Sequence, residues 1–163
     1  MRRARRNARP RNLEPRLSVE VSYAARRPWV PRPADLRRWA TAAAATPAAP
    51  ATLEVRVVGT ARSRRLNERF RHKATPTNVL SFAGPGLTAD GRIHLGELVI
   101  CAPVVAREAR TAGMPVAAHW AHMVVHGVLH LRGFDHERDA QARVMIAKEV
   151  QILDRLGFSN PYA

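Results

Sequence analysis

Twelve prolines are spread through the chain, yet none falls between Val116 and Asn160. Proline removes a backbone donor and clashes with the preceding helical turn, so long unbroken helices belong in this stretch. Pro115 opens a helix over PVAAHWAHMVVHGVLHLR that Gly133 closes. A second helix runs from about Glu137 to Leu156, with an apolar stripe of Ala142, Met145, Ile146, Ile152, Leu153 and Leu156 and with Gly157 as its stop.

Ahead of Pro115 the pattern alternates. LSVEVSYA (Leu17 to Ala24) and TLEVRVVG (Thr52 to Gly59) have period-two apolarity and predict strands. NVLSFA (Asn78 to Ala83) and IHLGELVICA (Ile93 to Ala102) are strand-like, and GPGLTADG between them reads as a loop. Helices are expected over ADLRRWATAAAA between Pro33 and Pro47, over SRRLNERFRHK with Leu66 and Phe70 four apart, and over PVVAREARTAG from Pro103 to Gly113. The expected fold is therefore α/β (α+β), a mixed β-sheet of about four strands packed with about five helices.

At 163 residues the chain suits one domain with a real core. Residues 17–163 are assigned to it. Residues 1–16 are Arg-rich and carry no hydrophobic period, which reads as a disordered basic arm, either a polyanion contact or a solvated extension. There are 27 basic against 13 acidic residues, a formal charge of +14. Such a field attracts polyanions, RNA above all, although a composition this rich in Arg, Ala and Pro also arises from codon usage alone. A single cysteine, Cys101, excludes an internal disulfide and a multi-thiolate zinc site and suits a reducing cytoplasm. No apolar stretch has the length of a signal core or a membrane span, so a cytoplasmic protein with no membrane partner is expected.

Five of the seven histidines fall between His119 and His136. On a helix, His119, His122, His126 and His130 lie within an arc of roughly 80° and share one face. His126 and His130 are one turn apart, so their imidazoles can converge on one cation. The chain must turn back for a third ligand to join them. Gly133 permits that turn, and His136 follows three residues later. Three neutral imidazoles leave a fourth position for water, the open arrangement of a catalytic zinc site suited to metal-assisted hydrolysis. His119 and His122 either line the same cleft or merely pack. Asp135 either fixes an imidazole tautomer or caps the final helix. In zinc peptidases of the HExxH type a glutamate follows the first histidine, whereas here that position is Gly127.

HMVVHGVLHLRGFDH resembles the H-G-x-L-H-L-x-G-Y/F-D-H signature of the YbeY family of metal-dependent endoribonucleases, the rRNA maturation factors. LNERFRHKATPTNVLSF resembles that family's L-N-x-x-Y/F-R-x-K-x-x-P-T-D/N-V-L-S-F block, and LGELVIC is similar to its L-G-D-I/L-V-I segment. The resemblance runs from about Leu17 to the C-terminus. It implies an α/β fold with a metal, generally zinc, in a cleft, and cleavage of single-stranded RNA. It also implies a role in maturing the 3′ end of 16S rRNA and in ribosome quality control, with a ribosomal protein or GTPase as partner. By position, it makes His126, His130 and His136 the metal ligands and Arg71 the active-site arginine, whose planar fork suits a scissile phosphate. Lys73 is either a further phosphate contact or part of a solvated face. Glu97 stands where the family usually has Asp, and Phe134 where Tyr is commoner.

The expected function is thus a metal-dependent, single-strand-specific endoribonuclease of rRNA processing, acting on 16S rRNA and ribosomal particles, with one zinc held by three histidines and a water. Two rivals share some of these features: a non-catalytic ribosome-assembly factor with a structural zinc, and a zinc peptidase, which Gly127 disfavours.

Overall fold

Four strands and five helices make up the computed structural model, which describes residues 16–163. The basic arm expected over residues 1–16 lies, but for Arg16, outside the described residues. In chain order the elements are β1 (Leu17–Tyr23), α1 (Pro33–Ala44), β2 (Ala51–Val58), α2 (Thr60–Arg71), β3 (Val79–Leu87), β4 (Ile93–Cys101), α3 (Ala102–Thr111), α4 (Val116–Leu131) and α5 (Asp139–Arg155). The strands make one mixed sheet in the order β1-β2-β4-β3, parallel except that β3 runs antiparallel to β4. The α+β architecture expected from the sequence is the one found.

Side chains alternate across a strand, so each strand feeds two layers. Leu53, Val55 and Val57 of β2 and Leu98 and Ile100 of β4 join the main core, where α1 and α4 cover the sheet. Each of these fully buried aliphatic side chains contributes about 1.5–3 kcal/mol by leaving water. Val58, Leu80, Val99 and Cys101 point the other way and form a smaller cluster with Val104 of α3 and Leu66 of α2. The amphipathic α2, with only Leu66 and its neighbours to bury, needs no more than this second face.

Helix α4 is the central element. Trp120, Val124, Val125, Val128 and Leu129 are buried, and α4 touches α1, α3, α5, β3 and β4. Gly127 lets it lie close to the sheet: a Cβ there would stand 2.8 Å from Leu98 Cδ2 and 3.2 Å from Ser81 Oγ, and Ser81 Oγ donates to the Gly127 carbonyl at 3.2 Å. The helix ends as its sequence dictates. Gly133 takes φ 91°, its N–H bonds the His130 carbonyl at 2.9 Å, and the Phe134 N–H bonds the Leu129 carbonyl at 3.0 Å.

One element is longer than its sequence suggests. The stretch Gly84-Pro85-Gly86, expected as loop, continues β3 to Leu87. Proline is tolerated because β3 is the edge strand and its pairing with β4 is irregular between Ala83 and Gly86. Backbones approach so closely here that a Cβ on Gly84 would lie 2.3 Å from the His94 carbonyl oxygen.

Candidate metal centre

His126 and His130 stand on successive turns of α4 with ring centroids 4.7 Å apart and Nε2 atoms 3.1 Å apart. The reversal at Gly133 carries His136 back to them, with centroid distances of 5.6 Å to His126 and 4.9 Å to His130. One nitrogen from each ring lies within 4.8 Å of the other two. Tetrahedral zinc with bonds of about 2.0–2.1 Å spaces its ligand nitrogens about 3.3 Å apart, so the His126–His130 pair already has the required spacing. The three histidines expected as ligands are therefore brought together.

A metal ligand must present a lone pair, and the structure shows what orients it. His126 Nδ1 lies 2.5 Å from Glu149 Oε1. An ionised carboxylate can only accept, so the ring proton sits on Nδ1 and the Nε2 lone pair faces His130. Glu149, on α5, is only 1 % exposed. Its second oxygen accepts a short hydrogen bond from the Tyr162 hydroxyl and stands 3.4 Å from His122 Nε2. Burial pushes its carboxyl up, but the hydrogen bonds from His122, His126 and Tyr162 outweigh this and hold it at about 2. Burial, with the opposing Glu149 carboxylate, pushes the Tyr162 phenol up. For His130, burial first and then the neighbouring His126 and His136 hold the imidazole below its ordinary range, which keeps it neutral and able to coordinate.

Glu149 and Tyr162 were not foreseen from the sequence. Glu149 did carry a signal, since it lies four residues after Met145 and three before Ile152, a charge on the buried stripe of α5. The stripe itself is narrower than expected, because Ile146 is 37 % exposed. Asp135 takes neither role expected of it: its Oδ1 accepts the His136 backbone N–H at 2.7 Å, and α5 starts only at Asp139. His119 and His122 do share the face of α4 with the ligands. His119 turns to Glu108 at 2.7 Å, and Asn78 also donates to Glu108; His122 belongs to the Glu149–Tyr162 cluster, its Nε2 3.2 Å from the Tyr162 hydroxyl.

Arg71, in the last turn of α2, lines the same cleft as the three histidines, together with Asn78, Ser81, Asp135 and Glu137. The cleft measures about 490 Å³. Its placement follows from how α2 is tied down. Asn67 donates to the Thr75 carbonyl at 2.8 Å, and Ser63 exchanges two 2.9 Å hydrogen bonds with Thr77, fixing the 72–78 segment against the helix. His72 at φ 58° ends the helix and bonds back to Glu68. Glu97 is elsewhere: it lies on the opposite face of the sheet, 2.8 Å from Arg56 Nε, so its extra methylene does not reach the histidines. Phe134 packs against the core, with the Arg132 guanidinium 5.3 Å from its ring centroid. A larger groove of about 640 Å³ on that opposite face is lined by Glu20, Glu54 and Glu97, whose charge repels phosphate.

Residues 34–157 match the family model described as endoribonuclease YbeY. A relative from Alkalilimnicola ehrlichii named endoribonuclease YbeY is 52 % identical over 157 residues, covering 93 % of this chain and 94 % of its own. One of the same name from Halorhodospira halophila is 56 % identical over 113 residues, covering 68 % and 73 %. The solution structure of TM1509 from Thermotoga maritima superposes with a TM-score of 0.59 over 85 % of this chain and 89 % of that one at 22 % identity, a likeness of fold. With the family model spanning most of the chain and a half-identical relative spanning nearly all of it, the protein belongs to the YbeY family.

Proposed function

We propose that this chain is a metal-dependent, single-strand-specific endoribonuclease that matures the 3′ end of 16S rRNA and serves ribosome quality control in the cytoplasm, residues 17–163 acting as one domain. The observation that carries the reading is the convergence of His126, His130 and His136 with Arg71 on one cleft. The names of the relatives support the reaction class, and the +14 charge supports a polyanionic substrate. A ribosomal protein or GTPase partner rests on the family resemblance alone.

The donor set fits zinc, since three imidazoles with no thiolate and one open side suit that ion. When bound, zinc supplies a Lewis acid and an activated water. His126, His130 and His136 would hold it, and Glu149 keeps His126 in the coordinating tautomer. Arg71 binds the scissile phosphate across the cleft and offsets charge that develops on its oxygens. The nucleophile is either the water or the ribose 2′-hydroxyl, and a 2′,3′-cyclic phosphate among the products would identify the latter.

Cleavage of a short labelled single-stranded RNA by the wild type and by His130→Ala, both checked for folding by circular dichroism, tests the reading. Cutting by the wild type alone is expected. Equal cutting by both, or by neither, would favour an assembly factor whose metal serves only to hold Gly133 and α5. The peptidase reading loses further ground, because the position after His126 faces the sheet at contact distance and has no room for a glutamate.

A further inference from the structure

Phe70 is an aromatic side chain left 54 % exposed on a helix whose other exposed residues are mostly cationic. Five of the twelve residues of α2 are arginine (Arg62, Arg64, Arg65, Arg69 and Arg71), and all five are exposed. Among the described residues none of them is ion-paired with an acid. The ring of Phe70 meets Phe82 of β3 edge-on at 4.9 Å, and the Arg69 guanidinium stands 5.4 Å from its centroid. Together they wall a groove of about 320 Å³ whose other lining includes Arg56, Arg62 and Glu97.

This groove is separate from the histidine cleft. Val79, Ser81 and Ala83 of β3 line the cleft, whereas Phe82 lines the groove, so edge strand β3 is the wall between them. Consecutive residues of α2 straddle that wall: Arg71 faces the cleft and Phe70 the groove. Glu97 in the groove is already paired with Arg56, which leaves Arg62 and Arg69 of the lining for phosphates, while an exposed aromatic face with an adjacent guanidinium is what single-strand readers offer to a base.

We propose that Phe70 stacks a base of the bound RNA beside the nucleotide whose phosphate Arg71 holds, so that the strand wraps the β3 edge with its phosphates on the α2 arginines. This subsite rests on the endoribonuclease reading for its substrate. It predicts a non-ionic share of RNA affinity on α2, distinct from the ionic share of its arginines.

The test is fluorescence anisotropy of a 5′-labelled single-stranded oligoadenylate with the full chain, comparing wild type, Phe70→Leu, Phe70→Tyr and Phe70→Trp at several salt concentrations. Leucine keeps the contact with Phe82 and removes the aromatic face. Phe70→Leu is expected to bind about tenfold more weakly, with an unchanged slope of log affinity against log salt. Tyr and Trp restore affinity, and the added Trp fluorescence is quenched when RNA binds. Equal affinity of Phe70→Leu and wild type, or a loss of affinity that Tyr and Trp do not restore, overturns the proposal. RNA cleavage by the same proteins separates the two readings. A wild type that binds in a Phe70-dependent way without cutting ends the nuclease reading and leaves the subsite, whereas cutting with no dependence of binding on Phe70 ends the subsite alone.

Discussion

His126 Nδ1 and Glu149 Oε1 stand 2.5 Å apart, joining the first of the converging histidines to a carboxylate twenty-three residues away on α5. The carboxylate is buried and the imidazole largely so, which limits the competition from water for the bond that fixes the ring's tautomer. Glu149→Gln keeps an oxygen for His126 but loses the charge and sets an amide against Tyr162 and His122. Zinc affinity, read by competition with a chromogenic chelator, is expected to fall about 10- to 100-fold. Unchanged affinity would mean that His126 needs no such partner.

Arg71 lines the cleft and is hydrogen-bonded to none of the three histidines, so its removal should separate metal binding from catalysis. Arg71→Ala is expected to lower kcat/KM on single-stranded RNA about 10²- to 10³-fold, the worth of one donor at a developing oxyanion, while zinc affinity stays at the wild-type value. Arg71→Lys should recover only part of the rate, since a point charge cannot grip two phosphate oxygens as a guanidinium does. A parallel loss of zinc from Arg71→Ala would assign the residue to the fold instead.

Cys101 sits at the N-terminus of α3, a position that favours a thiolate, yet it is fully buried, and burial pushes the thiol above its ordinary range. Native protein at pH 8 should therefore react with a thiol reagent far more slowly than protein in guanidinium chloride. A group whose pKa is raised by folding supports the native state below its unfolded pKa, about 8.5 for a thiol, and loses that support as pH rises beyond it. Wild type should lose stability between pH 8 and pH 10 more steeply than Cys101→Ala; parallel profiles would show that the thiol ionises equally in both states.

The histidine site was legible because its determinants are local. An i, i+4 pair and a glycine stop act within eleven residues, and helix geometry alone converts them into convergence. Glu149 was hidden because its role depends on how α5 docks against α4, and a charged residue in an apolar stripe announces burial without naming a partner. Tyr162 lay beyond the last helix, where no periodicity reports on contacts. The extension of β3 through Gly84-Pro85-Gly86 was missed for a different reason: the residues that break most strands are admissible on an edge strand with a bulge, and edge position is a property of the assembled sheet. Arg71 stands out in the sequence only through the block around it, since one arginine among many carries no signal of its own, and the structure places it in the lining of the histidine cleft.

Gly127 provides the sharpest check on how the site is built. Gly127→Glu would write the HExxH pattern of zinc peptidases into α4 while changing nothing else in the ligand set. The new side chain would start against Leu98, which is fully buried, and next to the Ser81 hydroxyl that bonds the Gly127 carbonyl. A carboxylate there has neither space nor a cationic partner, so the substitution should cost at least about 3 kcal/mol of stability. That loss corresponds to a melting temperature lower by roughly 6–12 °C for a chain of this size, with no gain of peptidase activity on casein. A variant as stable as the wild type would show that α4 can lift from the sheet, and that the glycine serves something other than close packing.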